Sequence, residues 1–140
     1  MLKVAAKPNT TLLLVDDDIQ QLKLCAMVLQ MSGFSVLTAA SPGEAISVLA
    51  ENAIDLAVLD YDMPEMNGCM LAGRIRARYC DISIILYSGA LAIPDHEIIH
   101  VDEFVPKGRG ARVLLAKISE LIHARSAASA RALAYVRRQP

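Results

Sequence analysis

The chain has 140 residues, the length of one domain with room for a single core. Its net charge of -1, with 21% charged and 54% hydrophobic residues, describes a soluble globular protein and leaves no global basic field for nucleic acid. Aromatic residues are only 4%, so the core is aliphatic. Cys25, Cys69 and Cys80 are odd in number and lack metal-ligand spacing, which reads as reduced thiols rather than a disulfide frame. No segment reaches transmembrane length, and residues 1–8 lack the apolar core of a signal peptide. The expected compartment is the cytoplasm, with no membrane contact.

Residues 1–9 read as a flexible lead-in ending at Pro8-Asn9. Thr10 to Val15 is a strand that stops at Asp16-Asp17-Asp18. A helix follows, with Ile19, Leu22, Ala26 and Leu29 at helical spacing, Asp18 as N-cap and Ser32-Gly33 at its end. Ser35–Ala39 is a short strand. Ser41-Pro42-Gly43-Glu44 then starts a second helix, with capping-box spacing and proline at the first helical position. Ala45, Ile46 and Leu49 give that helix its inward face.

The third strand, residues 55–60, is a continuous apolar run that delivers Asp60 to its end, followed by Asp62, Met63 and Pro64. Such a run suits a strand buried on both faces of a parallel sheet. After Asn67-Gly68 a helix reaches about Tyr79, with Leu71 and Ile75 inward and Arg74, Arg76 and Arg78 outward as a solvated face. Ile82–Tyr87 is the fourth strand, ending at Ser88-Gly89-Ala90. Pro94 interrupts the next stretch, which predicts a short or irregular fourth helix. Glu103–Val105 is the fifth strand and runs into Pro106-Lys107-Gly108. The last helix starts near Arg109 and carries Leu114, Leu115, Ile118, Leu121 and Ile122. Five β-α units with right-handed crossovers make a three-layer α/β/α, doubly wound parallel sheet.

In such a sheet the carboxyl ends of the strands share one edge, so Asp16, Asp17, Asp60, Ser88 and Lys107 converge there. Three close carboxylates repel one another, and a divalent cation relieves the conflict. Mg²⁺, or Mn²⁺ in its place, suits carboxylates, waters and phosphate oxygens together. With Lys107 as a fixed cation and Ser88 as a hydroxyl donor, the edge is equipped for phosphoryl transfer to Asp60.

Val15-Asp16-Asp17-Asp18, Asp60 with Met63-Pro64 and Asn67-Gly68, Ser88-Gly89-Ala90 and Lys107 together resemble the receiver domain of two-component response regulators. The resemblance covers residues 10–124 and implies a flavodoxin-like fold with strand order 2-1-3-4-5. It implies that Asp60 accepts phosphate from a phosphohistidine on a sensor kinase or phosphotransfer protein. It also implies Mg²⁺ ligation by Asp17, Asp60 and the Asp62 backbone carbonyl, with Asp16 assisting. Lys107 would pair with the acids and then with the phosphate. Ser88 and Phe104 would be the switch pair that responds. The sequence departs from the family in three places. Lysine is followed by Gly108 instead of proline, the stretch from Ser88 to Phe104 is short, and Phe104 lacks a tyrosine hydroxyl.

A competing class is a Mg²⁺-dependent phosphohydrolase with Asp60 as nucleophile and Asp62 as acid/base; a third is an interaction module that keeps only the fold. Asp62 also reads as a plain turn residue, and His96, His100 and His123 as surface residues. Residues 125–140 contain four arginines and no acid. They read as a helical extension or linker, or as a contact surface for a second copy or partner helix. They are too short for a DNA-binding output domain.

Overall fold

The computed structural model describes residues 10–139. Five strands, β1 (Thr11–Val15), β2 (Ser35–Ala39), β3 (Leu56–Leu59), β4 (Ser83–Ser88) and β5 (Glu103–Pro106), form one sheet in the order β2-β1-β3-β4-β5. Every neighbouring pair is parallel. Four helices cover it: α1 (Ile19–Met31), α2 (Pro42–Glu51), α3 (Gly68–Arg78) and α4 (Ala111–Arg137), the last entered through a short 3₁₀ turn at Lys107–Arg109.

Alternation along the strands sorts the core into two layers. Leu13, Val15, Ala57, Leu59, Ile84 and Leu86 face α2 and α3, where Ala45, Leu49, Leu71, Ala72 and Ile75 meet them. Leu12, Leu14, Leu56, Val58, Ile85 and Val105 face α1 and α4, against Leu22, Ala26, Leu29, Leu114, Ile118 and Ile122. Two expected inward residues are instead substantially exposed: Ile19 at 46% and Ile46 at 39%. Ile19 is the first residue of α1, and Ile46, beside the fully buried Ala45, lines an open groove between α2 and α3.

The helix starts follow local chemistry. The Asp18 side chain accepts from Gln20 N and Gln21 N, so it caps α1 as its position predicts. Ser41 Oγ accepts from Glu44 N, while Glu44 reaches back one residue beyond the usual box to Ala40 N, at 2.7 Å. Asn67 Oδ1 caps α3 at Met70 N.

The predicted short fourth helix does not form. Residues 89–102 hold isolated turns, closed by Glu97 N to Pro94 O and Val101 N to Ile98 O. Proline removes a donor there, and the contacts that fix this segment come from elsewhere in the fold. Ile93, Ile98 and Val101 pack on the α2–α3 layer. Gly73 leaves room for the His100 ring, which a β-carbon would approach to 3.2 Å. Tyr61 donates its hydroxyl to Glu97 Oε2 at 2.5 Å.

Arg76 supplies the strongest tie and corrects the reading of α3 as carrying three solvated arginines. Its guanidinium donates to the carbonyls of Cys80, Ile82 and His100 and to Asp102 Oδ2 at 2.9 Å. Asp102 Oδ2 also accepts from Ile84 N at 2.7 Å. The end of α3 and the starts of β4 and β5 are thus fastened by one ion pair. Arg74 and Arg78 are exposed, as predicted.

The tail continues α4 without a break to Arg137. Arg125 donates to the Asp55 carbonyl at the far edge of the sheet, and the helix runs on past it. Among the described residues, no helix is long and apolar enough to cross a membrane. The lead-in at 1–9 lies outside the described residues.

Candidate functional site

β1 and β3 are hydrogen-bonded neighbours, so the residues that follow them emerge side by side. Asp16 N donates to the Ala39 carbonyl and Asp60 N to the Val15 carbonyl, which fixes both backbones to the sheet edge. Carboxylate oxygens of Asp16, Asp17 and Asp60 all lie within 4.8 Å of one another. Asp16 and Asp60 are buried and Asp17 is exposed. This set of hard oxygen donors at one point fits a divalent cation of the Mg²⁺ type.

Lys107 enters from the end of β5. Its Nζ donates to Asp16 Oδ2 at 2.8 Å and to Gln21 Oε1 at 2.7 Å, and stands 3.4 Å from Asp60 Oδ1. It also lies 5.8 Å from the centre of the Tyr87 ring. Burial alone would lower the pKa of this ammonium, but the hydrogen bond to Asp16 and the charge of Asp60 carry it above the usual lysine value. The Asp60 pKa is raised as well, which for a carboxylate disfavours the charged form. Burial pushes it up from 3.8 to about 6, against the opposing pull of Lys107.

Asp17 differs from its neighbours in having no hydrogen bond or ion pair among the described residues, whereas Asp16 also accepts from Asp18 N at 2.9 Å. Asp16 is therefore committed to structure on both oxygens, and Asp17 is free to take a ligand. A hollow of about 30 Å³ opens beside Asp60, lined by Asp16, Gln21, Cys25, Tyr87 and Lys107. It has room for about one or two water molecules. Burial pushes the Cys25 thiol up to about 11, so it is neutral near pH 7.

The remaining predicted residues lie around this centre without joining the acid cluster. Ser88 is fully buried, and its Oγ accepts from Ala90 N at 3.2 Å, turned onto its own loop. Phe104 is half-buried against the α2–α3 layer, on the sheet face opposite Tyr87 and Val105. Asp62 is exposed, and its side chain takes no part in the three-carboxylate group.

Sequence reasoning missed Gln21, Tyr87, Glu97 and the steric role of Gly68. Gln21 carried one usable signal, its place a helical turn beyond Asp17. Gly68 opens α3 directly against the end of β3. A β-carbon there would fall well inside contact distance of the Asp60 carbonyl oxygen and 2.8 Å from Leu86 Cδ1. Only glycine fits this approach.

A doubly wound parallel sheet with an acid cluster and a lysine at its carboxyl edge defines an α/β module built to handle phosphate and a metal. The chain belongs to the response regulator receiver domain family, whose model matches residues 12–119. It is 33% identical over 118 residues to the response regulator SaeR of Staphylococcus aureus, covering 81% of this chain and 50% of that protein. The chain thus spans about half the length of that curated relative. Among solved structures it resembles the response regulator TrrA of Thermotoga maritima in complex with Mg²⁺-BeF, at 31% identity and a TM-score of 0.76. That match covers 80% of this chain and 98% of that one. TrrA in complex with the histidine kinase ThkA matches at 31% identity and a TM-score of 0.75, covering 80% and 97%. A CheY-like receiver from Methanospirillum hungatei, 24% identical with a TM-score of 0.78 over 84% and 97%, shares the fold.

Proposed function

We propose that this chain is the phosphoacceptor switch of a two-component phosphorelay, with Asp60 as the acceptor. The arrangement that carries this reading is Lys107 Nζ held between Asp16 and Asp60 beside a three-carboxylate cluster. Asp17, Asp60 and the Asp62 backbone carbonyl would hold Mg²⁺ with Asp16 assisting, and Mn²⁺ suits the same donors. The ion supplies charge neutralisation on the phosphoryl oxygens. An Asp60 oxygen attacks phosphorus in line, the new P–O bond forms, and the P–N bond of a donor phosphohistidine breaks. Lys107 keeps its position against the growing negative charge. Ser88 turns from its own loop to donate to the phosphoryl group, and Phe104 moves with it by packing alone. The donor is a sensor histidine kinase or a phosphotransfer protein, which the TrrA–ThkA complex supports by similarity. The chain catalyses only its own phosphorylation and dephosphorylation, and works in the cytoplasm.

The phosphohydrolase reading is not favoured. Asp62, the acid/base that reading needs, is exposed and its side chain takes no part in the three-carboxylate group, and the chain belongs to the receiver family. Incubation with acetyl phosphate and Mg²⁺, followed by intact mass, tests the proposal. One phosphate is expected on the wild type and none on Asp60→Ala. A wild type that stays unmodified, or an adduct that survives the substitution, overturns it.

A further inference from the structure

Between α2 and α3, on the outside of the molecule and away from the acid cluster, lies a groove of about 310 Å³. Ile46, Leu49, Ile75 and Tyr79 form its apolar floor and walls, and Arg74 and Arg78 stand at its rim. No acidic side chain lines it. The two arginines are one helical turn apart, which places their side chains on the same face of α3. Neither makes a hydrogen bond or ion pair with a carboxylate among the described residues, whereas Arg76 between them is fully engaged. Arg78 lies 6.0 Å from the centre of the Tyr79 ring, so its cation hangs over the apolar end of the groove.

We infer that this groove docks an acidic amphipathic helix of a partner protein. The trough between two helices receives a third through apolar anchors spaced at i, i+3 or i+4 and i+7. Carboxylates at i and i+4 on the incoming helix match the spacing of Arg74 and Arg78. A basic helix is repelled by the same pair, and for an oligonucleotide the groove offers one aromatic ring, Tyr79, instead of a row of stacking platforms. The groove also has a mechanical link to the acceptor. The α3 wall begins at Gly68 against the Asp60 carbonyl, and its last turn is tied by Arg76 to Asp102 at the start of β5. The docking surface and the acceptor loop thus share one packed element. The inference goes beyond the phosphoacceptor reading, because the groove exists in the unphosphorylated chain.

The test is selection from a random helical peptide library against the unphosphorylated 140-residue chain, followed by fluorescence polarisation with the selected peptides. Selected peptides are expected to pair acidic residues at i, i+4 with adjacent apolar ones. Arg74→Glu combined with Arg78→Glu should weaken binding by about tenfold or more. Peptides whose glutamates are replaced by lysine should regain affinity for that variant, which separates lost charge matching from lost folding. Ile46→Asp should weaken binding without any such rescue. Failure to select a binder, binders without acids, preference for a basic peptide or an oligonucleotide, unchanged affinity on charge reversal, or no regain on the charge swap would each overturn the inference.

Discussion

Gly68 and the Asp60 carbonyl are in such close approach that no side chain fits between them. Alanine is ordinarily the better helix former by about 1 kcal/mol. Here the sign reverses, because the added carbon meets fixed backbone on one side and Leu86 on the other. Gly68→Ala is expected to destabilise the protein by about 2 kcal/mol or more and to shift the loop that follows Asp60. Urea unfolding and the amide shifts of residues 60–68 check it.

The buried carboxylate of Asp60 makes a pH dependence with a defined direction. Its folded pKa of about 6 exceeds the unfolded value of 3.8, so between these values the native state binds more protons. Stability from this group therefore falls as pH rises through the window, and the full cost applies above about pH 6. In metal-free buffer Asp60→Asn should be more stable than wild type by about 2 kcal/mol near neutral pH. That gap should shrink by roughly 1 kcal/mol when both are compared at about pH 5. Urea titrations with chelator at the two pH values decide it, and a wild type more stable than the variant at neutral pH contradicts the assignment.

Asp17 and Asp16 should separate cleanly on removal. Asp17→Ala breaks no protein contact and should leave metal-free stability within about 0.5 kcal/mol, yet abolish most of the stabilisation that Mg²⁺ gives. At one hundred times Kd that stabilisation is about 2.7 kcal/mol. Asp16→Ala leaves the Asp18 amide without its acceptor and Lys107 with only Gln21 and Asp60, and should cost about 2 kcal/mol with no metal present. Thermal melts with and without Mg²⁺ read both effects.

Of the α3 arginines, one is structural. Arg76→Ala removes the donor to three carbonyls and Asp102, and leaves the carboxylate bound to Ile84 N alone. A loss of about 2–3 kcal/mol is expected. Arg74→Ala should change stability by less than about 0.5 kcal/mol. Equal effects would mean that the clamp does not hold.

Tyr61→Phe deletes the hydroxyl that meets Glu97. A loss of stability is expected, with faster amide exchange confined to residues 94–101. The same bond, with burial and the Glu97 charge behind it, pushes the Tyr61 phenol up to about 12. Its titration should fall back toward the ordinary value of 10 in Glu97→Ala.

The acid cluster was legible because each carboxylate ends an apolar strand and parallel strands share an edge. That the core has two layers followed from apolar strands buried on both faces. The ties across the fold were not legible. Arg74, Arg76 and Arg78 have the same chemistry in sequence, and what singles out Arg76 is Asp102, separated from it by 26 positions. Pro94 announced an interruption after β4. Whether a short helix or a strap followed depended on Gly73, Arg76 and Tyr61, none of them local. Alanine richness foretold helix in the tail but not its unbroken run to Arg137, since nothing in composition marks where a helix stops touching its sheet.

The extension of α4 beyond Arg125 makes the molecule directional. From that last tie to the sheet, the helix spans about 18 Å to Arg137. Any module fused beyond that point inherits a fixed bearing. One inserted residue turns the cargo by about 100°, while seven return it close to its original heading, about 10 Å further out. A graded series of insertions thus converts this helix into a goniometer, reporting whether a fused reader responds to distance or to angle.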